Sequence, residues 1–222
     1  MLYIVSTPIG NLKDITLRAL ETLKSVSLIA AEDTRHTQIL LDHYQIATPT
    51  TSYFEHNQIK KSDYLLGLLK EDKDIALVTD AGTPGISDPG FYLIRLAKEN
   101  NIPITVIPGA TALIAALTLS GLPAHGFIFE GFLPVKSGAR RRKLEELRNE
   151  TRTVIFYESP HRLLKTLKDM DEVLENPRVC VARELTKKFE EVKEASASEL
   201  LKHFSQNKPR GEFVLLISAV RS

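Results

Sequence analysis

The chain has 222 residues, 43% of them hydrophobic and 26% charged, a composition that supports a packed globular core and excludes a disordered or fibrous chain. Its formal net charge of +1 provides no whole-molecule field for nucleic acid or membrane, so any basic surface must be local. A single cysteine, Cys180, excludes a disulfide framework and a cysteine-based metal site, and the apolar run around it marks a buried structural thiol.

Residues 3–6 read as an opening strand running into Thr7-Pro8-Ile9-Gly10-Asn11, with helical spacing at Ile15, Leu17, Leu20 and Leu23 behind it. The N-terminus is therefore a strand and not a signal peptide, and no apolar run is long enough to span a bilayer, so the expected location is the cytoplasm. The first loop holds one glycine and matches neither GxGxxG nor a P-loop, which leaves a dinucleotide or triphosphate reading without support. Residues 26–31 form a second strand that delivers Glu32, Asp33, Arg35 and His36 to its end. These ionisable groups are either a functional cluster at a sheet edge or acids complementing a helix N-terminus. A third strand at 50–54 leads to Glu55-His56-Asn57, where a lone histidine in a polar turn is a solvated or capping residue.

The apolar run 75–78 enters Thr79-Asp80-Ala81-Gly82-Thr83-Pro84-Gly85-Ile86-Ser87-Asp88-Pro89-Gly90. Asp88 is the expected N-cap of the next helix, with Pro89 at its first position. A strand, a glycine-rich turn and a helix start describe a small-molecule site at the carboxyl end of a sheet, and the loop is longer than a simple connection requires. A strand at 104–107 meets Pro108-Gly109-Ala110-Thr111-Ala112, whose small residues suit close approach of a ligand or plain core packing. Residues 121–126 break the pattern and mark the expected domain boundary, giving domains 1–120 and 121–222.

In the second half, a strand at 127–132 is followed by Lys136, Arg140, Arg141, Arg142 and Lys143. Cations at a helix start oppose the helix dipole, so this run is either a solvated helix end or a site for a negatively charged partner. Strands at 153–157 and 178–182 end in Glu158-Ser159-Pro160-His161-Arg162 and Arg183-Glu184-Leu185-Thr186-Lys187-Lys188. An edge strand at 189–192, a helix at 197–204 and a closing strand at 212–217 complete an α/β chain in which each domain is a sheet flanked by helices.

Taken in order, the segments 2–12, 31–35, 79–90, 106–110, 156–162 and 183–187 resemble the motif series of the ribosomal-RNA-modifying branch of the tetrapyrrole methylase superfamily. The resemblance implies a two-domain class III methyltransferase, a homodimer that binds S-adenosylmethionine between its domains and methylates the ribose 2′-hydroxyl of a cytidine in small-subunit (16S) ribosomal RNA. Carried over by motif, the cofactor residues are Pro8, Asp80, Ala81, Gly82, Thr83, Pro84, Ile86, Ser87, Thr111, Ala112, Tyr157, Glu158, Glu184 and Leu185. No metal is required. Glu32, Asp33 and Glu158 are candidate bases and Arg35 a candidate electrostatic partner, while Arg140, Arg141, Arg142, Lys143, Arg183, Lys187 and Lys188 are candidate RNA contacts. Many relatives carry a further C-terminal segment, whose RNA contacts are expected to be absent or replaced here. A tetrapyrrole or other small-molecule methylase on the same scaffold, and a non-catalytic ribosome-binding relative, are the alternatives.

Overall fold

The computed structural model describes residues 1–206 and 208–218. It divides into two units, Met1–Thr111 and the remainder from Ala112 onward. The seam thus falls one helix earlier than the glycine-rich break at residue 121. The helix that decides this, α5 (Ala112–Ser120), is apolar on every side and packs on the strands of the second sheet. A helix without a polar face carries no local mark of which sheet it will cover.

The first unit is a parallel sheet of β1 (Leu2–Val5), β2 (Leu28–Ala31), β3 (Thr50–Ser52), β4 (Ile75–Val78) and β5 (Ile104–Ile107), ordered β3-β2-β4-β1-β5. Alternation along β4 sends Ala76 and Val78 to one face and Ile75 and Leu77 to the other. The first face is covered by α1 (Leu17–Ser25) and α2 (Thr34–His43), the second by α3 (Gln58–Lys70) and α4 (Phe91–Glu99). Burial on both faces is why β4 is apolar at all four positions. From β1 the chain moves outward towards β2 and β3; from β4 it crosses to β5 on the other side. The carboxyl ends of β1 and β4 therefore flank the topological switch point, the usual ligand position in an open α/β sheet.

The second unit contains a mixed sheet of β6 (Phe127–Phe132), β7 (Thr153–Glu158), β8 (Arg178–Arg183), β9 (Glu191–Ser196) and β10 (Phe213–Ile217), ordered β6-β7-β10-β8-β9. Helices α6 (Ser137–Glu146), α7 (Leu163–Val173) and α8 (Ala197–Gln206) bury Leu144, Leu167, Met170, Leu200 and Phe204 against one face; α5 takes the other. Cys180 is buried in β8, and burial pushes its thiol up to about 11, consistent with a structural role.

Candidate functional site

At the switch point the loop after β4 is fastened to the end of β1. Thr7 and Gly82 exchange backbone hydrogen bonds of 2.9 and 3.1 Å, the Thr7 hydroxyl donates to Thr79 O at 3.0 Å, and Ser6 and Thr83 share a hydroxyl hydrogen bond of 2.8 Å. Gly82 adopts φ +87°, where a side chain would be strained. On the other flank, a Cβ on Gly109 would lie 2.8 Å from Ser6 Cβ, so only glycine lets the β5 turn approach β1 this closely. Pro8 and Pro84 are buried in this frame, while Ala81, Ile86 and Ser87 are exposed along the loop.

The carboxylates gather on the same edge, between β2 and β4. Glu32 Oε2 accepts from the Thr79 hydroxyl at 2.5 Å and from Asp80 N–H at 3.3 Å, and Asp80 Oδ1 accepts from Asp33 N–H at 3.1 Å. Asp88 does not cap α4. The helix begins at Phe91 behind Gly90, with no side-chain cap, and the Asp88 carboxyl turns inward to Thr79. Burial, together with the Glu32 and Asp80 charges, raises Asp88 to about 6 against the Thr79 hydrogen bond. Burial also raises Asp80. His36 is exposed and its positive form would oppose the rise at Asp80.

Asp33 takes the plainer of its two expected roles. Its carboxylate caps α2 by accepting Arg35 N–H at 2.9 Å and holds the Arg35 guanidinium at 2.8 and 3.1 Å, a pairing that keeps its pKa well below the usual carboxylate range. Arg35 is itself 89% exposed. Glu158 is a correction to its candidacy as a base. Its side chain is fully buried, paired with Arg162 at 3.2 Å, and accepts from Ser159 N–H and the Thr166 hydroxyl, so it braces the turn after β7.

In the second unit, the Tyr157 hydroxyl accepts Leu113 N–H at 3.3 Å next to Ala112, and its ring packs edge-on against Phe129 and Phe132. Glu184 and Thr186 have φ of +49° and +65°, a strained turn that flanks buried Leu185. Burial works to raise the Glu184 carboxyl, but Glu212 N–H and the Lys187 ammonium outweigh it and hold it lowered. The buried Thr186 hydroxyl has no partner among the described residues, a polar atom left for a ligand to satisfy.

The basic run is largely neutralised internally. Arg140, only 2% exposed, pairs with Asp169 at 2.6 Å and donates to the Val135 carbonyl at 3.1 Å, which removes it from any RNA surface. Arg141 pairs with Asp169 and Glu172, Lys143 with Glu130, Arg183 with Glu191, and Lys187 with Glu184 and Glu212. Of the seven candidate RNA contacts, Arg142 and Lys188 are exposed and have no carboxylate partner among the described residues. Sequence could not separate Arg140 from Arg142, because α7 supplies the acid that selects one of them.

His56 is exposed beside Phe54, and Asn57 closes its turn by accepting Phe54 N–H at 2.9 Å. A shallow depression of about 380 Å³, lined by Asn57, Lys60, Lys61 and Tyr64, lies at the start of α3 and not at the switch point. Backbone fastened by the Ser6, Thr7, Gly82 and Thr83 hydrogen bonds shapes the switch-point edge, whereas this depression is lined by side chains at the start of α3.

Residues 1–201 match the family described as tetrapyrrole (corrin/porphyrin) methylases. The chain belongs to that family. A Synechocystis relative called ribosomal RNA small subunit methyltransferase I is 53% identical over 98% of this chain and 78% of its own length. A relative of the same name from Thermotoga maritima is 48% identical over 98% of this chain and 97% of its own. Among solved structures, a Thermus thermophilus uroporphyrin-III C-methyltransferase complexed with S-adenosyl homocysteine aligns with a TM-score of 0.69 over 99% of this chain and 97% of that one. A cobalt precorrin-4 methyltransferase aligns at 0.70 over 98% and 94%. Identities of 19% and 20% to these structures speak for the tetrapyrrole methylase fold alone.

Proposed function

We propose that this tetrapyrrole methylase family member uses S-adenosylmethionine to methylate small-subunit ribosomal RNA, at the ribose 2′-hydroxyl of a cytidine, and works as a homodimer. The observation that carries the substrate class is about half identity over nearly the whole chain to relatives called ribosomal RNA small subunit methyltransferase I. The residues present fit the cofactor. Gly82 holds the loop backbone at φ +87° and Gly109 lets the β5 turn close on Ser6, and the same edge of the first sheet carries the carboxylates Glu32, Asp80 and Asp88, which suit a cationic ligand.

When bound, S-adenosylmethionine supplies an electrophilic methyl carbon on a sulfonium. Transfer is an in-line displacement, so the work of this chain is chiefly alignment. Fastening of the 79–90 loop to Ser6 and Thr7 supplies rigid backbone for that. The acceptor hydroxyl is a weak acid, and a base to take its proton is worth about 10² to 10⁴ in rate. Glu32 is the best placed of the candidates. Its Oε2 is oriented by Thr79 and Asp80, whereas Asp33 is committed to Arg35 and Glu158 to Arg162.

The test is methyl mapping. Immature small subunits are incubated with the protein and radiolabelled S-adenosylmethionine, and the modified nucleotide is identified by nuclease digestion. Label on a cytidine ribose is the expected result; label on a base, or none on RNA, discards the reading.

A further inference from the structure

The strand pairings of the second sheet bring four loops to one edge. Phe132 at the end of β6 registers with Tyr157, while Phe213 at the start of β10 registers with both Glu158 and Arg183, and Arg183 with Glu191. The carboxyl ends of β6, β7 and β8 and the amino ends of β9 and β10 therefore form one row. Beyond it lie the segments 133–136, 159–162, 184–190 and 208–212.

This edge exposes two aromatic rings that the core does not use. Phe132 is 53% exposed, with one side against Tyr157, and Phe189 is 67% exposed. Each has a free cation close in the chain. Lys136 is exposed four residues after Phe132, and Lys188 holds its ammonium 5.6 Å from the Phe189 ring centroid. Arg210, on the segment before β10, is exposed too; none of these three cations has a carboxylate partner among the described residues. The neighbouring acids are already engaged, with Glu184 and Glu212 sharing Lys187, Glu191 on Arg183, and Glu190 accepting Thr186 N–H.

Resting on the RNA substrate proposed above, we infer that this edge holds an unpaired stretch of RNA, with Phe132 and Phe189 as stacking platforms for bases and Lys136, Lys188 and Arg210 as phosphate contacts. Exposed rings on one edge with cations that have no carboxylate partner match single-stranded RNA, whose bases present π-faces and whose backbone carries the charge. A protein partner fits less well, because the centres of protein interfaces are depleted of lysine. From β6 to the turn between β8 and β9 is three to four strand spacings, about 14–19 Å, the reach of roughly four or five stacked nucleotides. This places recognition away from the Arg140–Lys143 run, whose charges are mostly spent on Asp169, Glu172 and Glu130.

The experiment measures binding of the full chain to a fluorescent unstructured 12-nucleotide RNA, its duplex, and the same strand with abasic sites, with S-adenosyl homocysteine binding and mass by light scattering followed in parallel. Phe132→Ala and Phe189→Ala are each expected to weaken single-strand binding roughly five- to hundredfold, and the abasic strand to lose affinity for the wild type but little more for the variants. Lys136→Ala and Lys188→Ala should each reduce the slope of log affinity against log salt by about 0.7. If the wild type binds RNA and both phenylalanine variants bind it equally well, the inference is wrong while the substrate reading stands. Variants that become monomeric with RNA affinity per protomer unchanged would reassign the rings to a subunit interface. A wild type that binds no RNA at all would overturn both.

Discussion

Asp88→Asn should stabilise the protein at neutral pH and leave it unaltered in acid. The Asp88 carboxyl is drawn inward to Thr79, beside Glu32 and Asp80, and titrates near 6 instead of the ordinary 3.8. A folded-state value above the unfolded one means that the native state binds the proton more tightly between about 4 and 6. The stability contributed by this group is therefore fully present below about pH 4 and is lost as pH rises through 6. At about 1.36 kcal/mol for each unit of difference, the full penalty above pH 6 has a ceiling of about 3 kcal/mol. Asp88 is only partly buried, so solvent screening reduces this to about 1–1.5 kcal/mol. Asparagine keeps a hydrogen-bonding side chain beside Thr79, whose hydroxyl proton goes to Glu32, and removes the charge. Urea unfolding at pH 4.5, 6 and 7.5 should show wild type and variant converging in acid and the variant ahead by that amount at 7.5. A variant no more stable at pH 7.5 than at pH 4.5, relative to wild type, would refute the idea that crowded carboxylates strain this loop.

Arg140→Met leaves Asp169 buried without its main partner and is expected to cost about 3–5 kcal/mol in urea unfolding, with Asp169→Leu added to it recovering much of the loss. Gly109→Ala forces the β5 turn away from Ser6 at a cost of about 1–3 kcal/mol, and calorimetry should show weaker S-adenosyl homocysteine binding. Tyr157→Phe removes the acceptor of Leu113 N–H, so hydrogen exchange at Leu113 should accelerate by an amount equivalent to about 1 kcal/mol. Glu32→Gln should lower methyl transfer at saturating cofactor about a hundredfold or more, beyond any loss of cofactor affinity; full activity would remove Glu32 as the base.

The order of strands and helices was legible because each apolar run of four to six residues ends in a turn-forming loop, and that rhythm is set by local chemistry. So were the loops at Pro8, 80–87 and 108–112, since glycine and proline declare unusual backbone locally. Asp88 misled for the same reason. Asp-Pro is a good local helix start, yet the chain begins α4 behind Gly90 and turns the Asp88 carboxyl inward to Thr79.

What the sequence determined by itself was the α/β class, the two-unit plan and the family. Only the tertiary structure decided which charges remain available. Arg140 and Arg142 are two positions apart on one helix, and the first is buried on Asp169 while the second faces solvent. Glu32 follows the last residue of β2 and Glu158 is the last residue of β7, and the second is fully buried on Arg162 while the first is half-buried. Likewise α5 joined the second unit because its all-apolar surface found a sheet face to cover there. Propensity is a property of neighbours along the chain, whereas neutralisation and burial belong to partners brought from far along it, and those partners exist only once the strands have paired.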